Sequence, residues 1–257
     1  REDMRREAQD LGCITGLITN GRLLTEKRVG SLADAGLDFA QVTLESLDEA
    51  VHDRMVASKG AWSETVAGIK NAAQRIYTTT NTTITQENKE TVLQTIPFLK
   101  RLGVKKFGLN ALIRSGRGTD AEGLDAGGLG HLLEKVVEVS SDFSFPFIWY
   151  TPTCYKDLNP VSLGLGVKTC SAASTVLAVE PDGNVMPCQS YYKSLGNAAT
   201  DEFPKMWRHP LAVALRKRRQ VGGGSHPDFP VLPDKCKSCD ELSLCGGACP
   251  LERRVLC

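Results

Sequence analysis

Seven of the nine cysteines in this 257-residue chain lie from residue 170 onward, and their spacing is the first feature that could do chemistry. Cys236, Cys239, Cys245 and Cys249 run C-x2-C-x5-C-x3-C. A two-residue gap lets two thiolates turn back on one metal ion or one cluster edge. The longer gaps bring two further sulfurs round in a compact loop, and Gly246-Gly247 permits a tight backbone path. Glycines beside such ligands also leave backbone N–H groups able to point at sulfur. Upstream, Cys170 and Cys188 bracket a hairpin as C-x12-G-x4-C, Cys257 closes the chain, and Cys13 and Cys154 stand apart.

Nothing in the chain resembles a signal peptide, and a disulfide network would be spread more evenly, so the cysteines read as ligands. Zinc is the plain alternative. A finger or ribbon would carry two C-x2-C knuckles, whereas there is one here, with more cysteines than a single tetrahedral site needs. On the residues alone, iron–sulfur and zinc both remain open. The formal net charge is +1, which favours neither nucleic acid nor a membrane surface, and no apolar run approaches the roughly 20 residues of a bilayer span. The expected location is cytoplasmic. The four histidines are scattered and read as surface or structural. The basic run Arg216 to Arg219 ends a helix, where cations suit the macrodipole.

The elements that must position these groups alternate. Strands are expected at 14–20, 39–46, 75–85, 105–113 and 147–154 from their apolar and β-branched runs. Helices are expected at 25–35, from Ser46 or Asp48 to the loop at 58–60, and at 62–73, 88–102 and 128–140, with Thr25 as an N-cap and Gly36 and Gly103 as stops. This pattern predicts a parallel α/β sheet with crossover helices, without deciding between a barrel and an open sheet. After Pro160 the texture changes. Residues 174–180 and 185–191 read as a hairpin around Asp182-Gly183, 206–219 as one amphipathic helix, and 222–224 as a flexible glycine link. From Cys236 onward there is too little apolar material for an independent core.

The ordered set C…G-x4-C…C-x2-C-x5-C-x3-C…C resembles the SPASM subgroup of the radical S-adenosylmethionine (SAM) superfamily. The front of the chain resembles it too: ITNG at 18–21, VTLES at 42–46, His52-Asp53-Arg54, and GLNALIRSGRG at 108–118. The resemblance implies a partial (β/α)6 TIM-like barrel over residues 1–155 and a small cysteine-rich iron–sulfur domain over 156–257. It implies two auxiliary 4Fe-4S clusters, with Cys170, Cys188 and Cys249 on the first and Cys236, Cys239, Cys245 and Cys257 on the second. Cys154 is then the fourth ligand of the first cluster, unless that position is open to substrate. Asn20, Thr43, Glu45, Arg54 and Asn110 become candidates to contact S-adenosylmethionine. The family's C-x3-C-x2-C and GGEP segments are absent from these residues, as is its first strand. The expectation is therefore a chain whose front lies outside this sequence, inactive without it.

The resemblance further implies an oxidoreductase. S-adenosylmethionine is cleaved reductively, and a 5′-deoxyadenosyl radical abstracts hydrogen from a peptide or other small substrate. The auxiliary clusters move an electron or bind the substrate, and flavodoxin or ferredoxin serves as donor. No residue is assigned to the hydrogen-abstraction step. Two other readings stand beside it. One is a cluster- or metal-binding peptide-recognition module without radical chemistry. The other is an aldolase-like barrel with a zinc tail, which would need a lysine at a strand's C-terminal end, whereas Lys105 and Lys106 stand at a strand's start.

Overall fold

The computed structural model describes residues 2–218, 226–228 and 232–252. It divides into two compact units. The first takes in the described residues of 1–111, 122–124 and 131–150, and the second those of 112–121, 125–130 and 151–257.

In the first unit, helix α1 (Glu2–Asp10) precedes five parallel strands: β1 (Gly16–Thr19), β2 (Phe39–Thr43), β3 (Tyr77–Ile84), β4 (Lys106–Ala111) and β5 (Phe147–Trp149). Helices α2 (Glu26–Asp34), α3 (Glu49–Met55), α4 (Ala61–Ala73), α5 (Val92–Arg101) and α6 (Ala126–Asp142) provide the crossovers. The strands neighbour one another in sequence order. An open doubly wound sheet would reverse order at a switch point; the unbroken order is that of a partial TIM-like barrel. Local chemistry sets the boundaries. Thr25 caps α2 by accepting the Arg28 N–H, Asp48 caps α3 by accepting that of Val51, and Gly36 turns the chain out of α2 at φ +82°. Asp48, rather than Ser46, is therefore the cap of α3.

Strand alternation decides which side chains are available. In β2, Ala40 and Val42 are fully buried while Gln41 and Thr43 are not. In β3, Thr78, Thr80, Thr82 and Ile84 are buried while Thr79, Asn81 and Thr83 are partly open. The buried set packs under the helices with Ile69, Ile96, Leu99, Leu133 and Trp149, and Phe107 packs against Phe145 and Phe147. The other face carries Gln41, Thr43, Thr79, Asn81, Thr83 and Asn110 toward its C-terminal end, with Ile18 exposed beside them.

In the second unit, β6 (Ala178–Val179), β7 (Asn184–Met186) and β8 (Gly196–Asn197) form a small antiparallel sheet. Its core joins Ala172, Val185, Tyr191, Leu195, Met206, Leu211 and Leu215, with Leu251 packed against it. Helices α7 (Phe203–Trp207), α8 (Pro210–Lys217), α9 (Asp234–Lys237) and α10 (Leu242–Cys245) complete the described part.

Three expectations are corrected. The strand expected to run to residue 154 ends at Trp149, because Pro152 follows closely and Thr153 instead closes a turn by donating its hydroxyl to Leu158 O at 2.8 Å. The helix expected over 206–219 is two helices, broken where Pro210 lacks the N–H that a continuous helix needs; Arg219 lies outside the described residues. The hairpin is shorter than expected and gains β8 as a third strand. The glycine link at 222–224 also lies outside the described residues.

Candidate functional site

In the first unit, register and alternation carry the strand-end candidates to one face. Thr43 lies beside Asn81, and Thr83 beside Asn110, in the parallel ladder. Asn20 follows Thr19, whose partner is Val42, and so comes level with Thr43. Glu45 lies just past β2, and its Oε2 accepts the Thr83 N–H at 2.7 Å. Asn20, Thr43, Glu45 and Asn110 therefore share the C-terminal end of the sheet, where parallel α/β folds bind ligands. Arg54 is apart from them: it is exposed on α3, and its Nε lies 3.5 Å from Glu87 Oε2.

Several residues that the sequence did not single out hold this face. His52 is 1% exposed, and its Nδ1 accepts the Glu45 N–H at 3.1 Å. Asn88 is fully buried and ties two strand ends together. Its amide donates to Glu45 O (2.7 Å) and Thr83 O (2.8 Å), and its Oδ1 accepts the Thr85 N–H (2.9 Å). The Asn20 turn is gripped by α4, where the Thr65 hydroxyl donates to Asn20 O at 2.8 Å. A methyl group on Gly68 would stand 2.1 Å from Gly21 O, so only glycine allows that approach. Further down the face, Gln41 Nε2 donates to the Tyr150 hydroxyl at 3.0 Å. The Tyr150 ring occupies the space that a side chain on Gly108 would fill.

Burial pushes the Glu45 carboxyl up to about 7, with the Thr83 N–H pulling the other way. Burial lowers the His52 imidazole below its usual value, against the pull of Asp53. Asn81 Oδ1 is buried with no hydrogen-bond partner. A polar, partly desolvated row with an unsatisfied acceptor suits a polar ligand, and these residues fit an adenosyl or amino-acid moiety.

In the second unit the cysteines come from separate segments. Cys170 and Cys249 are buried, Cys188 is half-buried, and all three thiols lie close enough to act on one another electrostatically. Burial, reinforced by Cys170, pushes the Cys249 thiol up to about 12; burial also raises that of Cys188. Backbone N–H groups of Ser190 and Tyr191 oppose the rise at Cys188, and that of Leu251 opposes it at Cys249. The Cys249 N–H donates to Pro152 O at 3.2 Å, two residues before the buried Cys154. Three neighbouring thiols, two of them with backbone N–H groups on their sulfurs, fit an iron–sulfur core, which would hold them as thiolates. Among the described residues, no three His, Cys, Asp or Glu side chains converge as a site for one metal ion.

Cys236 lies in α9, Cys239 just past it, and Cys245 ends α10. Gly246, Gly247 and Ala248 then follow with φ of 63°, 75° and 59°. This left-handed run curls the chain back, and the Gly247 N–H donates to Cys245 Sγ at 3.2 Å. The glycine pair does here what its position beside the cysteines suggested. Cys257 lies outside the described residues. The chain contains no C-x3-C-x2-C, so its residues do not fit the catalytic cluster. No helix among the described residues is long and apolar enough to cross a membrane.

Comparison with known proteins agrees with both halves. Residues 1–99 match the radical SAM superfamily, and residues 170–240 match the SPASM iron–sulfur cluster-binding domain. The AdoMet-dependent heme synthase of Methanosarcina barkeri is 25% identical over 95% of this chain and 72% of its own length. The PqqA peptide cyclase of Ruegeria pomeroyi is 25% identical over 99% of this chain and 66% of its own. Among solved structures, Streptococcus suis SuiB bound to S-adenosylmethionine superposes with a TM-score of 0.74 at 18% identity, over 96% of this chain and 58% of SuiB. SuiB bound to the precursor peptide SuiA gives 0.72. The chain thus spans about three fifths to three quarters of these proteins. Both matches and the shared fold agree: the chain resembles the radical SAM superfamily over residues 1–99 and the SPASM iron–sulfur cluster-binding domain over residues 170–240.

Proposed function

We propose that this chain forms the substrate-facing barrel wall and the auxiliary-cluster domain of a radical SAM oxidoreductase acting on a peptide. The observation that carries this reading is the approach of buried Cys170 and Cys249 and half-buried Cys188, from three separate segments, near enough to act on one another. The first auxiliary cluster takes these three cysteines, with Cys154 as the fourth ligand or an open position in its place. The second takes Cys236, Cys239, Cys245 and Cys257. When bound, the clusters and S-adenosylmethionine supply one-electron chemistry that generates a hydrogen-abstracting 5′-deoxyadenosyl radical.

The chain's own residues bind and orient. Glu45 and Asn110 offer a carboxyl and an amide to S-adenosylmethionine, and Asn20 and Thr43 border the same row. Arg54 contributes from the rim, if it leaves Glu87. Gln41 and Tyr150 form the floor beneath, where a substrate would rest. The peptide assignment draws on the PqqA peptide cyclase and on SuiB with SuiA. A flavodoxin or ferredoxin would supply electrons. The domain division at residue 155 belongs to the same proposal.

The test is S-adenosylmethionine binding by equilibrium dialysis with this chain. Saturable binding that weakens about 10-fold in E45Q or N110A supports the reading, since losing one good polar contact is worth roughly 1.4 kcal/mol. Saturable binding indifferent to both substitutions would place the ligand elsewhere.

A further inference from the structure

Two consecutive residues in the second unit, Arg114 and Ser115, reach the two segments that carry Cys249 and Cys188. The Arg114 backbone N–H donates to Glu252 Oε1, and its Nη1 lies 2.8 Å from Glu252 Oε2. The Glu252 side chain is 1% exposed, and its own N–H donates to Cys249 O at 3.0 Å. The Ser115 hydroxyl donates to Ser190 O at 2.7 Å. Ser190 and Leu251, whose N–H groups face the sulfurs of Cys188 and Cys249, are thus the held residue and the neighbour of the held residue.

A buried carboxylate is costly unless it is paired, and Arg114 is its partner. Glu252 also stands three residues past Cys249, in the turn closed by its own N–H on the Cys249 carbonyl, so its carboxylate is a charge built into that ligand's turn. The pair therefore has two consequences at one place. With the Ser115 tether it fixes the distance between two ligand segments, and it balances the negative charge that Glu252 brings to the Cys249 turn.

Resting on the ligand assignment above, we propose that Arg114 is a positioning and charge-balancing residue for the cluster of Cys170, Cys188 and Cys249, with Glu252 as the counter-charge and Ser115 as the second tether. Negative charge beside a cluster opposes its reduction, so the two partners act with opposite sign. Arg114→Met leaves the carboxylate unbalanced and moves the midpoint potential down. Glu252→Gln removes it and moves the potential up.

The test uses the whole chain, reconstituted anaerobically with iron and sulfide, and reads the midpoint potential by electron paramagnetic resonance. Cluster retention under a chelator is the second readout, with losses on the order of 10-fold expected for Arg114→Met, as is usual for residues that support metal ligands. The Arg114→Met/Glu252→Met double variant guards against misfolding, because apolar replacement of a buried pair is often tolerated. It is expected to return the potential toward the wild-type value, as Arg114→Lys also is. Opposite shifts in the two single variants support the proposal. Shifts of the same sign, or none in variants that keep their cluster, overturn it. A wild-type chain that takes up no cluster fails earlier, and overturns the ligand assignment itself.

Discussion

His52 Nδ1 accepts the backbone N–H of Glu45 at 3.1 Å, which fixes the imidazole as its neutral tautomer with the proton on Nε2. Two titratable groups pushed in opposite directions by burial therefore meet at the end of β2. Glu45 rises from 4.5 to about 7, and His52 falls below 6.5.

The signs of their effects on stability differ. Between pH 4.5 and about 7 the folded chain keeps a proton on Glu45 that the unfolded chain has released. Stability from Glu45 is thus present at low pH and lost as pH rises through that window. His52 contributes above pH 6.5, and its contribution is lost as pH falls through its lowered folded value. E45Q removes only the first effect. It should gain on the wild type by on the order of 1 kcal/mol between about pH 5 and pH 8 in urea unfolding. Parallel profiles would contradict the burial of a protonated Glu45.

Asn88 makes four hydrogen bonds from a fully buried side chain. Asn88→Ala strands the groups it served, at a cost of about 2–4 kcal/mol. Because two of those groups hold Glu45 and Thr83 together, S-adenosylmethionine affinity should fall with it. Denaturant midpoints and dialysis on one preparation check both.

Gly68 is the contact point between α4 and the Asn20-Gly21 turn. Gly68→Ala places a methyl group against backbone, with no side chain able to yield, and overpacking of this kind costs roughly 1–3 kcal/mol. Gly30→Ala is the control, since a methyl group there meets only the end of the flexible Arg75 side chain at 3.1 Å. Thermal unfolding should separate the two clearly.

Tyr150→Phe removes the hydroxyl that accepts from Gln41 and leaves the ring in place. The expected loss is about 1 kcal/mol or less, since Gln41 is partly open to water. If this face is the substrate floor, the variant bends substrate affinity more than stability, as measured by peptide binding against thermal midpoint.

Much of this site could be read before folding. The β-branched run at 75–85 and the helical spacing of Val92, Ile96 and Leu99 locate a strand and a helix, and position with the resemblance puts Asn20, Thr43, Glu45 and Asn110 at C-terminal strand ends. Asp-Gly at 182–183 marks the hairpin. What could not be read is what depends on separation. Arg114 and Glu252 are 138 residues apart, and neither carries a local pattern that names its partner. His52 and Asn88 look like ordinary polar residues of an amphipathic helix and a loop; only burial shows that they brace Glu45. The break at Pro210 was visible in principle, but the amphipathic pattern on both sides of it reads as continuous.

The most direct measurement is iron and acid-labile sulfide in the anaerobically reconstituted chain, with the electron paramagnetic resonance spectrum of the reduced protein. The account predicts close to eight irons and eight sulfides per chain, about four of each lost when Cys170, Cys188 and Cys249 are replaced together. Stoichiometric zinc without acid-labile sulfide would contradict it.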